Sequence, residues 1–197
     1  MKDIIIQLGK FIYGRGWSAG TGGNLSARLS NHQFAMTASG RHKGELSAED
    51  ILTVDLAGNP IGTQQKPSAE ALLHLAIYEL DPAAQFVLHT HSVAATVLSM
   101  QTKANHLEFA GYEMLKAIST IDTHETQLNL NIFENAQDMT VLAALLKNHW
   151  QTARHHFAFL VRGHGLYVWG HSEDQARRHL EAWEFLLACE LERRKIK

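Results

Sequence analysis

Residues 18–29, SAGTGGNLSARL, decide the fold class. The segment is rich in glycine like a phosphate loop, but it matches neither G-x-G-x-x-G nor G-x-x-x-x-G-K-[ST]. After the glycines, Leu25, Ala27 and Leu29 alternate with polar residues, which predicts a strand rather than a helix. The segment is therefore expected to form a tight turn that enters a β-strand.

The composition limits the possible classes of protein. The chain has 197 residues, 45% of them hydrophobic, which suits one domain with a sizeable core. Its net charge is -2, and the basic residues are scattered, which argues against nucleic acid or an anionic membrane as the main partner. The single cysteine, Cys189, cannot form an internal disulfide, so we expect a cytoplasmic protein.

Helical and strand patterns alternate along the chain. Helices are predicted at residues 1–15, from Pro67 onward, after Ser92, at 139–150, and after a capping box formed by Ser172 and Gln175. Strands are predicted after the glycine turn, at 34–40, from Ile51, at 84–91, at 157–161 and at 165–169. This order predicts a single α/β domain over residues 1–197, with a largely antiparallel central sheet flanked by helices.

The sequence HTH at residues 89–91 is the strongest local signal for chemistry. Alternate residues of a strand face the same side, so His89 and His91 are expected to point together at a strand end. They are either two polar residues at that end or the beginning of a zinc site. His164, between two glycines in RGHGL, is the best candidate for a third ligand, although a single histidine there also suits a polar turn.

Two glutamates are candidates for proton transfer. Glu70 is expected in the first turn of the helix that begins at Pro67, where an acid also simply complements the helix dipole. Glu113, in GYEMLKAI, is equally consistent with a carboxylate on a helix surface. Neither position indicates catalysis by itself.

Two glycine-rich turns are candidates for anion binding. In each, backbone N–H groups can form an anion-binding nest, or the glycines can merely provide positive φ for a tight turn. Together the two turns could clamp one phosphate from two sides. The residues concerned are Gly22, Gly23 and Asn24 in the first turn and Ser39, Gly40 and Lys43 in the second.

In chain order, the motifs GTGGNLS, TASG, PSAE, HTHS and RGHGLYVWG resemble the class II aldolase/adducin-head family. The resemblance covers nearly the whole chain, and five ordered motifs are more specific than any one of them. Within the family, the segments EMLKAI, NIFENAQD and VRGHGLYVWG and the compact length are most similar to the dehydratases of methionine salvage. Those enzymes convert 5-methylthioribulose 1-phosphate to 2,3-diketo-5-methylthiopentyl 1-phosphate and water.

The resemblance implies a zinc lyase that acts on a sugar phosphate. It implies one zinc ion per subunit, bound by His89, His91 and His164, and a homotetramer with each site near a subunit boundary. It also implies that Glu113 is the general acid/base and that Glu70 matches the carboxylate of the aldolases. The substrate phosphate would be held by the two glycine-rich turns, with Gly22, Gly23, Asn24, Ser39, Gly40 and Lys43, together with Ser68.

Other functions remain open at this point. A class II ketose-1-phosphate aldolase or a 4-epimerase would share the zinc and the enediolate, and Glu70 favours the aldolase whereas Glu113 argues against it. A non-catalytic interaction domain like the adducin head has no need for three histidines around an open coordination position. Imidazole and carboxylate ligands would also accept iron, cobalt or manganese.

Overall fold

The computed structural model describes residues 1–196, so Lys197, the last residue of the predicted domain, lies outside the described part. Within residues 1–196, nine strands form one open sheet. They are β1 (Asn24–Arg28), β2 (Phe34–Thr37), β3 (Ile51–Val54), β4 (Pro60–Ile61), β5 (Phe86–Thr90), β6 (His106–Ala110), β7 (Gln127–Phe133), β8 (Ala158–Val161) and β9 (Gly165–Gly170).

The sheet runs in the order β4-β3-β2-β1-β5-β9-β8-β7-β6. In this part of the chain, β7 and β8 form the one parallel pair, and the other neighbouring strands are antiparallel. The prediction of an α/β domain with a largely antiparallel sheet is therefore confirmed. The predicted entry of the glycine turn into a strand is confirmed too, because β1 follows Gly23 directly.

Six α-helices flank the sheet within the described residues. They are α1 (Lys2–Gly14), α2 (Ala71–Leu80), α3 (Val93–Gln101), α4 (Met139–Asn148), α5 (Trp150–Ala153) and α6 (Glu173–Ile196). The Ser172 hydroxyl accepts from the N–H of Gln175, as a capping box requires, but the Gln175 side chain accepts from the N–H of His171 instead of Ser172. None of these helices combines the length and apolarity that a bilayer crossing needs.

The prediction that a helix begins at Pro67 is wrong by four residues. Pro67 forms an antiparallel bridge with Ala38, and the N–H of Ser39 donates to the carbonyl of Lys66 at 3.0 Å. This pairing holds the chain extended beside the end of β2, so α2 begins only at Ala71. Glu70 is consequently the N-cap residue of α2 and does not lie in its first turn.

The two faces of the central strands meet different helices. The Thr90 side chain donates to Glu184 on α6, whereas its neighbour His89 contacts Glu70 at the start of α2. Because successive side chains of a strand point to opposite faces, α6 and α2 lie on opposite sides of the sheet. The candidate site is at the α2 side, where β5 ends.

Candidate metal centre

Four side chains converge at the end of β5. One possible ligand atom from each of Glu70, His89, His91 and His164 lies within 4.8 Å of all the others. His89 is on β5, His91 follows the strand by one residue, His164 is in the turn between β8 and β9, and Glu70 caps α2. The three histidines predicted as ligands are thus brought together, and a carboxylate joins them.

His89 is the most constrained of the four. Its side chain is completely buried, and its Nδ1 atom lies 2.9 Å from the carbonyl oxygen of Leu166. Only a protonated Nδ1 can donate to that carbonyl, so the lone pair of neutral His89 is on Nε2, which faces the cluster. Burial holds the pKa of His89 well below its usual value and lowers the pKa of His91 to about 4, so both rings are neutral at pH 7.

The spacing of the imidazole nitrogens fits a metal ion. The Nε2 atom of His89 lies 2.8 Å from that of His91 and 3.4 Å from that of His164. A tetrahedral ion bound at 2.0–2.1 Å separates two ligand nitrogens by about 3.3 Å. Three ring nitrogens that converge in this way therefore form a suitable donor set for such an ion.

The Glu70 carboxylate closes one side of the cluster. Its Oε1 atom lies 3.0 Å from Nε2 of His164, its Oε2 atom lies 3.5 Å from Nε2 of His89, and the Asn24 amide donates to Oε2. Burial raises the pKa of Glu70, but the hydrogen bonds from His164 and Asn24 outweigh burial and hold this pKa below its usual range. Glu70 is therefore an ionised carboxylate at neutral pH.

A small cavity of about 180 Å³ shares a wall with the cluster, since Glu70 and His91 line it. All seven residues predicted to hold a phosphate line the same cavity: Gly22, Gly23, Asn24, Ser39, Gly40, Lys43 and Ser68. The structure thus places the two glycine-rich turns against each other and beside the histidines.

Lys43 is the one cation lining this cavity in the described chain. Its side chain is buried, and its ammonium donates to the carbonyls of Thr21 at 2.8 Å and Arg41 at 2.6 Å. An ammonium has three hydrogens, so one remains for a ligand. Burial lowers the pKa of Lys43 to about 8, partly offset by the charge of Glu70, so the side chain remains mostly cationic at pH 7.

Two donors expected in the first glycine turn are already engaged. The N–H of Gly22 donates to the carbonyl of Ala19 at 3.0 Å, and the Asn24 amide donates to Glu70. The glycines are instead required by close packing against the end of β5 and the residue that follows it. A Cβ at Gly22 would lie 2.8 Å from Nδ1 of His91, and Gly23 has a φ of +74°, a conformation that favours glycine.

Glu113 is not part of the histidine cluster of its own chain. It begins a short 3-10 helix, Glu113–Ala117, and its side chain is 70% exposed. Its carboxylate accepts from Lys116 at 2.5 Å and lies 3.2 Å from Nδ1 of His124. The hydrogen bond from Lys116 holds the pKa of Glu113 below its usual value. Glu113 is thus an ionised surface carboxylate of the isolated chain.

Known proteins resemble this chain over nearly its whole length. A profile of the family described as class II aldolase and adducin N-terminal domain matches residues 3–191. A methylthioribulose-1-phosphate dehydratase of Pseudomonas syringae pv. syringae is 50% identical over 192 residues, 98% of this chain and 94% of the relative. The enzyme of the same name from Hahella chejuensis is 48% identical over 194 residues, 98% of this chain and 93% of the relative.

A solved structure supports the fold. The crystal structure of L-fuculose-1-phosphate aldolase from Thermus thermophilus superposes with a TM-score of 0.78 at 24% identity. The superposition covers 98% of this chain and 97% of the aldolase. At this level of identity, the likeness concerns the arrangement of helices and strands.

Proposed function

The chain belongs to the class II aldolase and adducin N-terminal domain family, and we propose on that premise that it dehydrates 5-methylthioribulose 1-phosphate. The product is 2,3-diketo-5-methylthiopentyl 1-phosphate, formed with one water. Relatives that are 50% and 48% identical over nearly the whole chain are methylthioribulose-1-phosphate dehydratases. The observation that carries the proposal is the cluster of His89, His91 and His164 that shares a wall with a phosphate-sized cavity.

The metal of the proposed enzyme is one zinc ion per subunit. His89, His91 and His164 would hold it through their Nε2 atoms, which face one another. Bound there, the ion would act as a Lewis acid toward the C2 carbonyl of the substrate and make the hydrogen on C3 more acidic.

The cavity beside the cluster orients the substrate. The remaining ammonium hydrogen of Lys43 and the hydroxyls of Ser39 and Ser68 are the donors for the C1 phosphate. The phosphate is the only fixed charge of the substrate, so anchoring it positions C2 and C3 relative to the histidines. Such positioning lowers the entropic part of the barrier.

Proton transfer is assigned to carboxylates. Glu113 takes the hydrogen from C3 and returns a proton to the C4 hydroxyl, which leaves as water, and the resulting enol becomes the second ketone. General acid/base help of this kind contributes about 10²–10⁴-fold. Glu70 is the second candidate for the base, because it is ionised and lines the wall between cavity and cluster.

The proposed enzyme is a cytoplasmic homotetramer. Glu113 is exposed and lies outside the cluster of its own chain, so its role as acid/base requires an assembly in which it reaches the site of a neighbouring subunit. Such an arrangement places the acid/base at a subunit boundary, where it meets the metal cluster of another copy. The lone cysteine is consistent with a reducing compartment.

An aldolase is the second candidate function, because Glu70 contacts the ring nitrogens of His89 and His164. A product assay separates the two. Zinc-loaded protein is mixed with 5-methylthioribulose 1-phosphate, and the products are identified by mass spectrometry. Loss of one water to give the diketone phosphate supports the dehydratase. Cleavage to dihydroxyacetone phosphate identifies an aldolase, and no turnover with zinc bound contradicts both assignments for this substrate.

A further inference from the structure

A layer of buried polar side chains lies behind the metal cluster, between α2 and the sheet. Glu70 caps α2, and His74 lies near the start of this helix with its Nδ1 atom 2.7 Å from the Ser26 hydroxyl of β1. Asn24, His89 and Tyr167 are opposite one another across β1, β5 and β9, so their side chains share a sheet face. Among residues 1–196, Oδ1 of Asn24, Nε2 of His74 and the Tyr167 hydroxyl are buried without a hydrogen-bond partner.

The ring of Tyr167 is fixed on several sides. It stacks on His89 with ring centroids 3.8 Å and planes 13° apart, and on Phe159 with centroids 5.0 Å apart. Because β9 lies between β5 and β8, these two rings flank Tyr167. The ring of His74 meets it edge-on at 5.7 Å. The Tyr167 side chain is completely buried, so its hydroxyl has no access to solvent.

The Tyr167 hydroxyl is a buried donor without a hydrogen-bond partner in the described chain. A phenol keeps its proton at neutral pH, so the buried Tyr167 hydroxyl remains a donor. An O–H group buried without an acceptor is unfavourable. The Glu70 carboxylate lies 3.5 Å from Nε2 of His89, the ring on which Tyr167 stacks, which makes it the suitable acceptor.

We propose that Tyr167 is a positioning residue of the metal centre, whose ring fixes the plane of His89 and whose hydroxyl donates to Glu70 when the cluster binds its metal. Tyr167 acts through these two side chains and touches neither metal nor substrate. Partners that orient metal ligands in this way change metal affinity by about 10–100-fold. The inference rests on the metal centre of the proposed function, but not on which substrate bond is broken.

The test is a metal titration of Tyr167→Phe, which keeps the ring and removes the hydroxyl. Tyr78→Phe is the matched control, because Tyr78 is also buried on the α2 side but bonds to Ser26 at 2.9 Å. Co²⁺ is the probe, since its visible spectrum reports ligand geometry. We expect about 10–100-fold weaker Co²⁺ binding and an altered spectrum for Tyr167→Phe, and unchanged binding for Tyr78→Phe.

Three results would overturn the assignment. Equal Co²⁺ affinity and spectrum for Tyr167→Phe and the unmutated chain would contradict the role of Tyr167 and leave the metal centre of the proposed function standing. Equal weakening by Tyr78→Phe would indicate general loosening of the core instead. Failure of the unmutated chain to bind Co²⁺ would refute the metal centre of the proposed function, and this assignment with it.

A second measurement decides the matter if Tyr167→Phe does not fold. The unmutated protein is labelled with ¹³C in its tyrosine rings and studied by NMR with and without Zn²⁺. We expect a hydroxyl proton of Tyr167 that is protected from exchange and shifts on metal binding, while the resonances of Tyr78 stay in place. A Tyr167 resonance that does not respond to the metal would contradict the assignment.

Discussion

His89 donates its Nδ1 hydrogen to the carbonyl oxygen of Leu166 across the β5–β9 pair, at 2.9 Å. The contact is possible because these strands are antiparallel neighbours near the end of β5. It fixes both the tautomer and the tilt of the ring, and it leaves Nε2 to face His91 and His164. The sheet itself therefore holds His89 in the orientation that the proposed metal site requires.

The His91→Ala variant is expected to lose bound zinc. It removes one of three converging imidazoles. Loss of a residue that only orients a ligand lowers metal affinity by about 10–100-fold, so loss of a ligand itself should lower it by at least as much. Metal analysis of the purified proteins measures the effect. His106→Ala is the control, since His106 is an exposed residue at the start of β6, and it should keep its zinc. A full zinc content in His91→Ala would refute this ligand set.

The Glu113→Gln variant is expected to lose turnover while it keeps zinc. The amide cannot accept the C3 proton, so kcat should fall by about 10²–10⁴-fold, whereas the histidine cluster is untouched because Glu113 lies outside it. Steady-state kinetics and metal analysis give the two readouts. Glu108→Gln is the matched control, an exposed glutamate on the nearby strand β6. Retained activity in Glu113→Gln would contradict the assignment of Glu113 as the general acid/base.

The histidine cluster follows from the sequence because its rule is local. Residues 89 and 91 share a strand pattern, and His164 lies in a glycine turn that presents a side chain. The position of Glu70 could not be predicted from local sequence, because it depends on the bridge between Pro67 and Ala38, which joins segments far apart in the chain. A propensity rule places a helix start at a proline, but tertiary pairing determined the start of α2.

Tyr167 and three strands, β4, β6 and β7, were missing from the sequence-based prediction. β4 has only two residues. The motif RGHGLYVWG directs attention to His164, and the stacking of Tyr167 on His89 appears only when the register of β5 and β9 is known. β6 has just two buried residues, Leu107 and Phe109, so its alternation is too short to identify it. Its partner β7 does show the alternation of a strand, with Leu128, Leu130 and Ile132 between polar residues, so this strand was predictable from the sequence and was missed.

Loss of the Lys43 charge should weaken substrate binding at alkaline pH. The pKa of Lys43 is about 8 because burial lowers it, so the ammonium is charged below pH 8 and becomes neutral as pH rises through this value. We expect kcat/KM to fall above pH 8, since kcat/KM reports groups of the free enzyme.

The Lys43→Met variant tests the origin of that alkaline limb. A lost hydrogen bond to a charged group costs about 1.5–3 kcal/mol, so KM should rise by roughly 10–100-fold, and the fall above pH 8 should disappear. Lys103→Met, a change of an exposed lysine outside the cavity, should leave the profile as it is. An alkaline limb that persists in Lys43→Met would assign it to another group.

The buried carboxyl of Glu184 should make stability depend on pH. Its side chain is 2% exposed, Oε1 accepts from Thr90, and Oε2 has no partner among residues 1–196. Burial raises the pKa of Glu184 from 4.5 to about 7, and the hydrogen bond from Thr90 opposes this shift. Between pH 4.5 and pH 7, the Glu184 carboxyl is ionised in the unfolded chain but still protonated in the folded chain. The contribution of Glu184 to the free energy of unfolding is therefore fully present below pH 4.5 and is lost as pH rises through 7.

The Glu184→Gln variant removes this titration and keeps an acceptor for Thr90. The shift corresponds to about 3 kcal/mol, so the free energy of unfolding of Glu184→Gln relative to the unmutated chain should rise by up to that amount between pH 5 and pH 8. Urea denaturation of metal-free protein at a fixed concentration measures it. Glu192→Gln, on the exposed side of α6, should give a difference that does not vary with pH. Parallel stability curves for Glu184→Gln and the unmutated chain would show that Glu184 titrates normally.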